Sequence, residues 1–233
     1  MATWKDALTG GGDLFGSVCN ERLWPAARAA RYPITFAQQP TSGTVSSVTR
    51  KLRIISGQWR RRLLRVPGVE GLRPTPDRVR ETLFNWLGGS TEGARCLDLY
   101  AGSGALGFEA ASRGAARVLL VEKDARAVAC MREQAAALGA GQIQVIQADV
   151  RSWLQGAASA FDIVFIDPPY GSEDLGDLCA RLAGNAWLAP GALVYLETRA
   201  SPDPLELPPG WDILRRQKAG QVMYHLAAAG NPA

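Results

Sequence analysis

Histidine is almost missing from this 233-residue chain. The single one, His225, lies in the apolar run VMYHLAAA, with no acid or second histidine beside it. A structural or surface role suits it, and chemistry built on a histidine base or a histidine-rich metal cluster is disfavoured. Cysteine is sparse as well. Cys19, Cys96, Cys130 and Cys179 stand far apart with no C-x-x-C pair. That spacing suits reduced thiols in a cytoplasmic protein and argues against a disulfide frame or zinc site. No apolar run approaches the ~20 residues that a membrane helix needs. The opening residues, MATWKDALTGGGDLFGS, carry acids and no continuous apolar segment, so they read poorly as a signal peptide.

Acidic residues are absent from one long stretch. Between Glu21 and Glu70 there is none, against ten Arg or Lys, seven of which fall between Arg50 and Arg65. The net charge of +4 therefore hides an asymmetry, because the rest of the molecule is net acidic. A solvated basic surface is one reading. The other is an arm that contacts phosphates, where each neutralised phosphate adds salt-dependent affinity. Trp59 lies among these arginines and suits either stacking on a base or burial in a core.

Residues 1–48 show weak periodicity, a GGG and several Ser, Thr and Pro, and are expected to be a poorly ordered or atypical extension, or a misplaced translation start. Residues 49–92 form the next unit. Within it RIISG-QWRRR-LLRVPG predicts a hairpin of two short strands. In LRPTPDRVRETLFNWLG, Thr75 is the expected N-cap, with Pro76 first in the helix and Asp77 complementing its dipole. Val79, Leu83, Phe84 and Leu87 follow at helical spacing, and Gly88 closes the helix.

From residue 93 to 233 short apolar runs alternate with helical segments: ARCLDLY, ALGFEAASRG, RVLLVEK, DARAVACMREQAAALG, IQVIQAD, VRSWLQG, FDIVFID, LGDLCARLAGNAWL and ALVYLET. This βαβαβ rhythm predicts an α/β fold, a doubly wound and mostly parallel sheet with helices on both faces. WDILRRQKAGQVMYHLAAA closes it as an antiparallel pair turning at KAG.

LDLYAGSGALG joins the first of these strands to its helix, and Gly102, Gly104 and Gly107 match G-x-G-x-x-G. With Glu122 ending the next strand, the pattern alone suits a nicotinamide-dependent oxidoreductase. Two acids point elsewhere. Asp98, four residues before the first glycine, suits a cofactor carrying an ammonium or sulfonium charge better than a pyrophosphate. Asp149, in QAD, stands where it can accept from an adenine amino group, and it is also a natural N-cap for VRSWL. Acids at successive strand ends are the pattern of S-adenosyl-L-methionine binding: Asp98 near the methionine end, Glu122 on the ribose, Asp149 on adenine. The next strand ends in Asp167-Pro168-Pro169-Tyr170, beside that cofactor at the switch point of the sheet. An exocyclic base amine is a poor nucleophile because its lone pair is delocalised into the ring. A carboxylate and a backbone carbonyl that accept its two N–H bonds help to localise that pair. The prolines fix carbonyl directions, and Tyr170 offers a face for stacking.

These motifs together resemble the bacterial 16S rRNA guanine-N2 methyltransferases (the RsmD family). The resemblance runs from about Arg53 to the last strand, on RIISGQWRRRLL, LRPTPDRVRETLFNWL, LDLYAGSGALGFEAASRGA, VEKD and FIDPPY. It implies a class I, Rossmann-like, seven-stranded S-adenosylmethionine-dependent enzyme that methylates the N2 amine of a guanine in 16S rRNA, usually numbered 966, on the 30S subunit or its assembly intermediate. By the resemblance, Asp167, Pro168, Pro169 and Tyr170 form the catalytic pocket. Asp98, Ala101, Gly102, Ser103, Gly104, Glu122 and Asp149 hold the cofactor. Arg73 and Thr75 sit near the active-site mouth, and Arg60, Arg61 and Arg62 grip RNA. No metal is implied, and a cytoplasmic monomer is expected. The short stretch after Tyr170 leaves no room for the target-recognition insertion of a sequence-specific DNA adenine N6-methyltransferase, the nearest alternative.

Overall fold

The computed structural model describes residues 51–69, 72, 74–169, 175–199 and 205–230. All lie in the second of two compact units, residues 46–233. Arg73, Tyr170, Cys19 and the 1–48 extension, on which expectations were placed above, lie outside the described residues.

A seven-stranded sheet has the order β5-β4-β3-β6-β7-β9-β8. Strands β3 (Arg95–Leu99), β4 (Arg117–Glu122), β5 (Ile143–Gln147), β6 (Phe161–Ile166) and β7 (Leu188–Arg199) run parallel. The hairpin of β8 (Asp212–Ala219) and β9 (Val222–Ala228) adds the antiparallel edge. The order reverses between β3 and β6, which puts the switch point where the glycine loop and the Asp-Pro-Pro turn meet. A separate pair, β1 (Lys51–Arg53) with β2 (Leu63–Arg65), is the basic hairpin.

Alternation along the strands sends side chains to two cores. One holds Cys96, Val118, Leu120, Phe165 and Tyr195 under the hairpin, α1 (Asp77–Leu87), α2 (Ala105–Ser112) and α3 (Ala125–Leu138). The other holds Leu97, Leu99, Val164, Ile166 and Leu196 under α4 (Val150–Trp153) and α5 (Leu175–Gly184). Leu52, Leu64, Leu83 and Phe84 belong to the first core, so β1, β2 and α1 are packed on the sheet. Each such buried Leu or Phe contributes roughly 1.5–3 kcal/mol. Trp59 is 6% exposed and belongs to this core, which settles its two readings in favour of packing.

Three local expectations shift. Helix α1 begins at Asp77, with Pro76 at the N-cap position and no side-chain cap, so Thr75 is not the cap. Its hydroxyl is engaged by Asp167 instead. Strand β7 starts at Leu188, not at ALVYLET, because Leu188 pairs with Phe161 before a register shift at the Pro190–Gly191 break. The closing turn follows Ala219, a residue or two later than KAG suggested. His225 is buried on β9, and burial lowers its pKa, which suits a structural residue.

Candidate active site

The loop after β3 is held in shape by backbone geometry. Tyr100, Gly102 and Gly104 have φ of 63°, 56° and 76°, a region that side chains disfavour. Gly104 has a second reason to lack a side chain, since a Cβ there would lie 2.7 Å from the Phe108 ring. Ala101 donates to the Val121 carbonyl (3.0 Å) and Gly104 to that of Ala101 (2.7 Å), so the loop folds tightly onto the end of β4. Ala101 and Ser103 are buried, and Gly102 lies against the Leu72 side chain.

Glu122, at the end of β4, clasps two loops at once. One oxygen accepts the Gly102 N–H (2.9 Å) and the other the Asp124 N–H (2.8 Å). A carboxylate has about four acceptor positions, so two are left for a ribose diol. Asp98 is 3% exposed and accepts the Gly107 N–H (3.0 Å). Burial pushes its pKa up to about 7, the Gly107 hydrogen bond opposes that rise, and the Glu122 charge adds to it. A buried acid of this kind is poised for a cation, whose arrival restores its charge. These features fit S-adenosylmethionine, with its sulfonium and ammonium groups. Asp149 stands exposed beyond β5 and caps α4 by accepting the Ser152 N–H (3.1 Å), which leaves its other oxygen for an adenine amine.

Asp167 follows β6, at the switch point. Its carboxyl is raised well above the usual range, by burial first and then by the charges of Glu197 and Asp98. The Thr75 hydroxyl donates to it and opposes the rise. Pro168 is half-buried and Pro169 exposed, so the turn opens to solvent. Asp98, Glu122, Asp167 and Thr75 are thus brought together. Arg60, Arg61 and Arg62 are not, although all three are exposed. Their loop is fixed to the C-terminal end of α2, through Gln58 N–H on the Ser112 carbonyl (2.7 Å) and Trp59 N–H on Ser112 Oγ (2.9 Å). That anchors their loop at Ser112, one length of α2, roughly 12 Å, from the start of that helix at the cofactor loop.

Sequence reasoning missed three residues. Glu197 on β7 is 7% exposed and accepts the Tyr195 hydroxyl (2.8 Å). Its signal was available, for ALVYLET carries an acid next to its last residue, as LDLY carries Asp98 near the end of its strand. Arg80 and Glu109 are fully buried and paired at 3.3 Å. Glu109 also accepts from Ile55 N–H (2.8 Å), Ser56 N–H (3.1 Å) and Arg113 Nε (2.7 Å). Arg80 further donates to the carbonyls of Thr75 (3.3 Å) and Arg53 (2.8 Å) and to Asp77 (2.7 Å). It therefore fixes the backbone of Thr75, whose hydroxyl meets Asp167.

The family described as conserved hypothetical protein 95 matches residues 52–228. The chain is 45% identical over 176 residues to ribosomal RNA small subunit methyltransferase D of Escherichia coli, covering 76% of this chain and 89% of that one. The Haemophilus influenzae protein of the same name is 41% identical over 180 residues, covering 76% and 93%. A solved structure from Escherichia coli, described as the methyltransferase yhhF, shares 41% identity over 78% of this chain and 99% of its own, with a TM-score of 0.73. Together with the acids and glycine loop gathered at the switch point, these matches show that the chain belongs to the RsmD family of methyltransferases, with the Rossmann-like class I fold.

Proposed function

We propose that the protein methylates the exocyclic N2 amine of a guanine in 16S rRNA, with S-adenosylmethionine as methyl donor. The observation that carries this reading is Asp167, held by Thr75 beside Asp98 at the switch point. The names of the relatives, small subunit rRNA methyltransferases, support the substrate class.

In this reading Asp98 faces the positive end of the cofactor, Glu122 the ribose and Asp149 the adenine, while Gly102 and Gly104 leave space along the loop. The cofactor supplies a methyl group made electrophilic by its sulfonium. Asp167 and a carbonyl of the Pro168–Pro169 turn accept the two N–H bonds of the target amine, which aims its lone pair at that methyl. Tyr170 supplies the stacking face. The base must leave its stack to enter, at a cost of roughly a few kcal/mol. Arg60, Arg61, Arg62 and Arg73 contact phosphates, making residues 49–92 the RNA-contacting part of a cytoplasmic, monomeric enzyme that acts on the 30S subunit or its assembly intermediate.

The test is methyl transfer from labelled S-adenosylmethionine to unmodified 30S subunits, naked 16S rRNA and duplex DNA in parallel, followed by nucleoside mass spectrometry. N2-methylguanosine formed mainly on 30S is expected. Label in N6-methyladenine of DNA would overturn the substrate.

A further inference from the structure

Glu197 has no part in the chemistry above, yet it is buried beside the acid that does. Strands β6 and β7 pair in parallel register through Phe165 with Tyr195 and Ile166 with Leu196. The next residues in each strand direction are Asp167 and Glu197. They extend the row on the Phe165 and Tyr195 face, on chains about 4.8 Å apart. The electrostatics agree, since the charge of Glu197 is the second cause, after burial, of the raised Asp167 carboxyl.

Two carboxylates on neighbouring strands, Glu197 buried and Asp167 half-buried, resist both staying charged without a cation. The groups around them are known on each side. Asp98 lies on β3, Tyr195 on β7 and Tyr224 on β9, and Arg199 is exposed at the end of β7. On α1, Arg80 directs its donors to Glu109, Asp77 and the Thr75 and Arg53 carbonyls. Among the described residues no Arg or Lys is a cause of the shifts at either acid. The Tyr195 hydroxyl fixes one oxygen of Glu197, leaving the other for its neighbour.

We propose that Asp167 and Glu197 form a carboxyl–carboxylate pair that shares one proton in the free enzyme, with Glu197 as the positioning residue for Asp167. The proposal rests on the amino-methyltransferase reading. When the proton sits on Glu197, Asp167 is the ionised member, oriented by Glu197 on one side and Thr75 on the other. In the reaction the N2 lone pair forms the N–CH3 bond while the C–S bond breaks, its electrons passing to sulfur to leave S-adenosylhomocysteine. The amine, now positive with two hydrogens, releases one proton to Asp167. The pair thus begins with one proton and ends with two, and returns the extra one to solvent.

One test needs no substrate. Thermal stability of the ligand-free full chain is compared with that of Glu197→Gln from about pH 5 to pH 9. Glu197 has a raised folded-state pKa, so it favours folding while neutral, and that contribution is lost as pH rises through the folded value. Gln never ionises. The variant is therefore expected to gain stability over the wild type progressively with pH, whereas a constant difference would overturn the proposal.

The second test is the pH profile of kcat on 30S subunits, with the KM for S-adenosylmethionine measured alongside. The wild type is expected to lose activity on the alkaline side, as the shared proton leaves and the two charges repel. Glu197→Gln keeps the donor to Asp167, so its kcat stays within about tenfold and the alkaline fall disappears. Glu197→Ala loses the donor, drops kcat about 100-fold and moves the acid limb upward, with KM unchanged in both variants. Superimposable profiles for wild type and Gln, or equal losses for Gln and Ala, would overturn the pair. Failure of the wild type to make N2-methylguanosine would instead count against the proposed substrate, and the stability comparison would still decide the pair.

Discussion

At the scale of single residues, the site is governed by acids that burial keeps from ionising freely. Asp98 is the clearest case, with its pKa raised to about 7. Because it binds a proton more tightly folded than unfolded, the free enzyme loses stability as pH rises from the ordinary carboxylate range to about 7. A bound cation reverses the preference. Affinity for S-adenosylmethionine should therefore weaken by up to about tenfold per pH unit below 7 and level off above it. Calorimetry in buffers of different ionisation enthalpy should show about one proton released on binding at acid pH. In the proposed reaction Asp167 acts on the other reactant. Asp167→Ala should lower kcat by about a thousandfold or more while cofactor affinity changes by less than about threefold. Joint loss of both in equilibrium binding and turnover assays would show that Asp167 serves the cofactor and not the amine. Thr75→Val keeps the shape and removes the hydroxyl, and about a tenfold loss in kcat is expected.

At the scale of elements, the contacts that matter most join pieces distant in sequence. Gly57 sits at φ 81°, and a Cβ there would fall 1.8 Å from the Ser112 carbonyl oxygen, a backbone atom that cannot swing aside. Gly57→Ala should cost several kcal/mol in urea denaturation and expose the 54–62 loop to proteolysis. The strands, the glycine loop and the acid at the end of β6 were readable in the sequence because each rests on a local rule: period-2 burial, a tight strand-to-helix turn, prolines after an apolar run. Arg80 with Glu109 was not. Nothing within ten residues of either tells that an arginine on one helix will be neutralised by an acid on another, 29 positions away. The early start of β7 was hidden for a related reason. Pro190 and Gly191 read locally as a stop, and only pairing of Leu188 with Phe161 shows that the strand continues through them. Glu197 was legible by its position at a strand end, but its meaning depends on the register of β7 with β6.

At the scale of the whole molecule, charge and chemistry are separated. The exposed Arg60–Arg62 loop lies at the far end of α2 from the cofactor loop. A structured RNA large enough to span that distance would meet both. Replacing all three arginines by alanine should reduce the slope of log affinity against log salt by up to about 2, and leave kcat at saturating substrate within about threefold. A large fall in kcat with no change in slope would mean that the loop supports the fold and does not meet RNA.

The four donors around Glu109 carry one more consequence. Two of them are main-chain N–H groups of Ile55 and Ser56, and a third belongs to Arg80 on α1. A chain that began at residue 93 would lose three of the partners of Glu109 together with the elements that cover it, leaving the acid with Arg113 and an apolar sheet face bared to water. The basic hairpin is therefore no interchangeable cassette. Swapping it for another module, by evolution or by engineering, requires the newcomer to present two N–H groups to the same carboxylate, beside the Arg80 guanidinium that α1 already supplies.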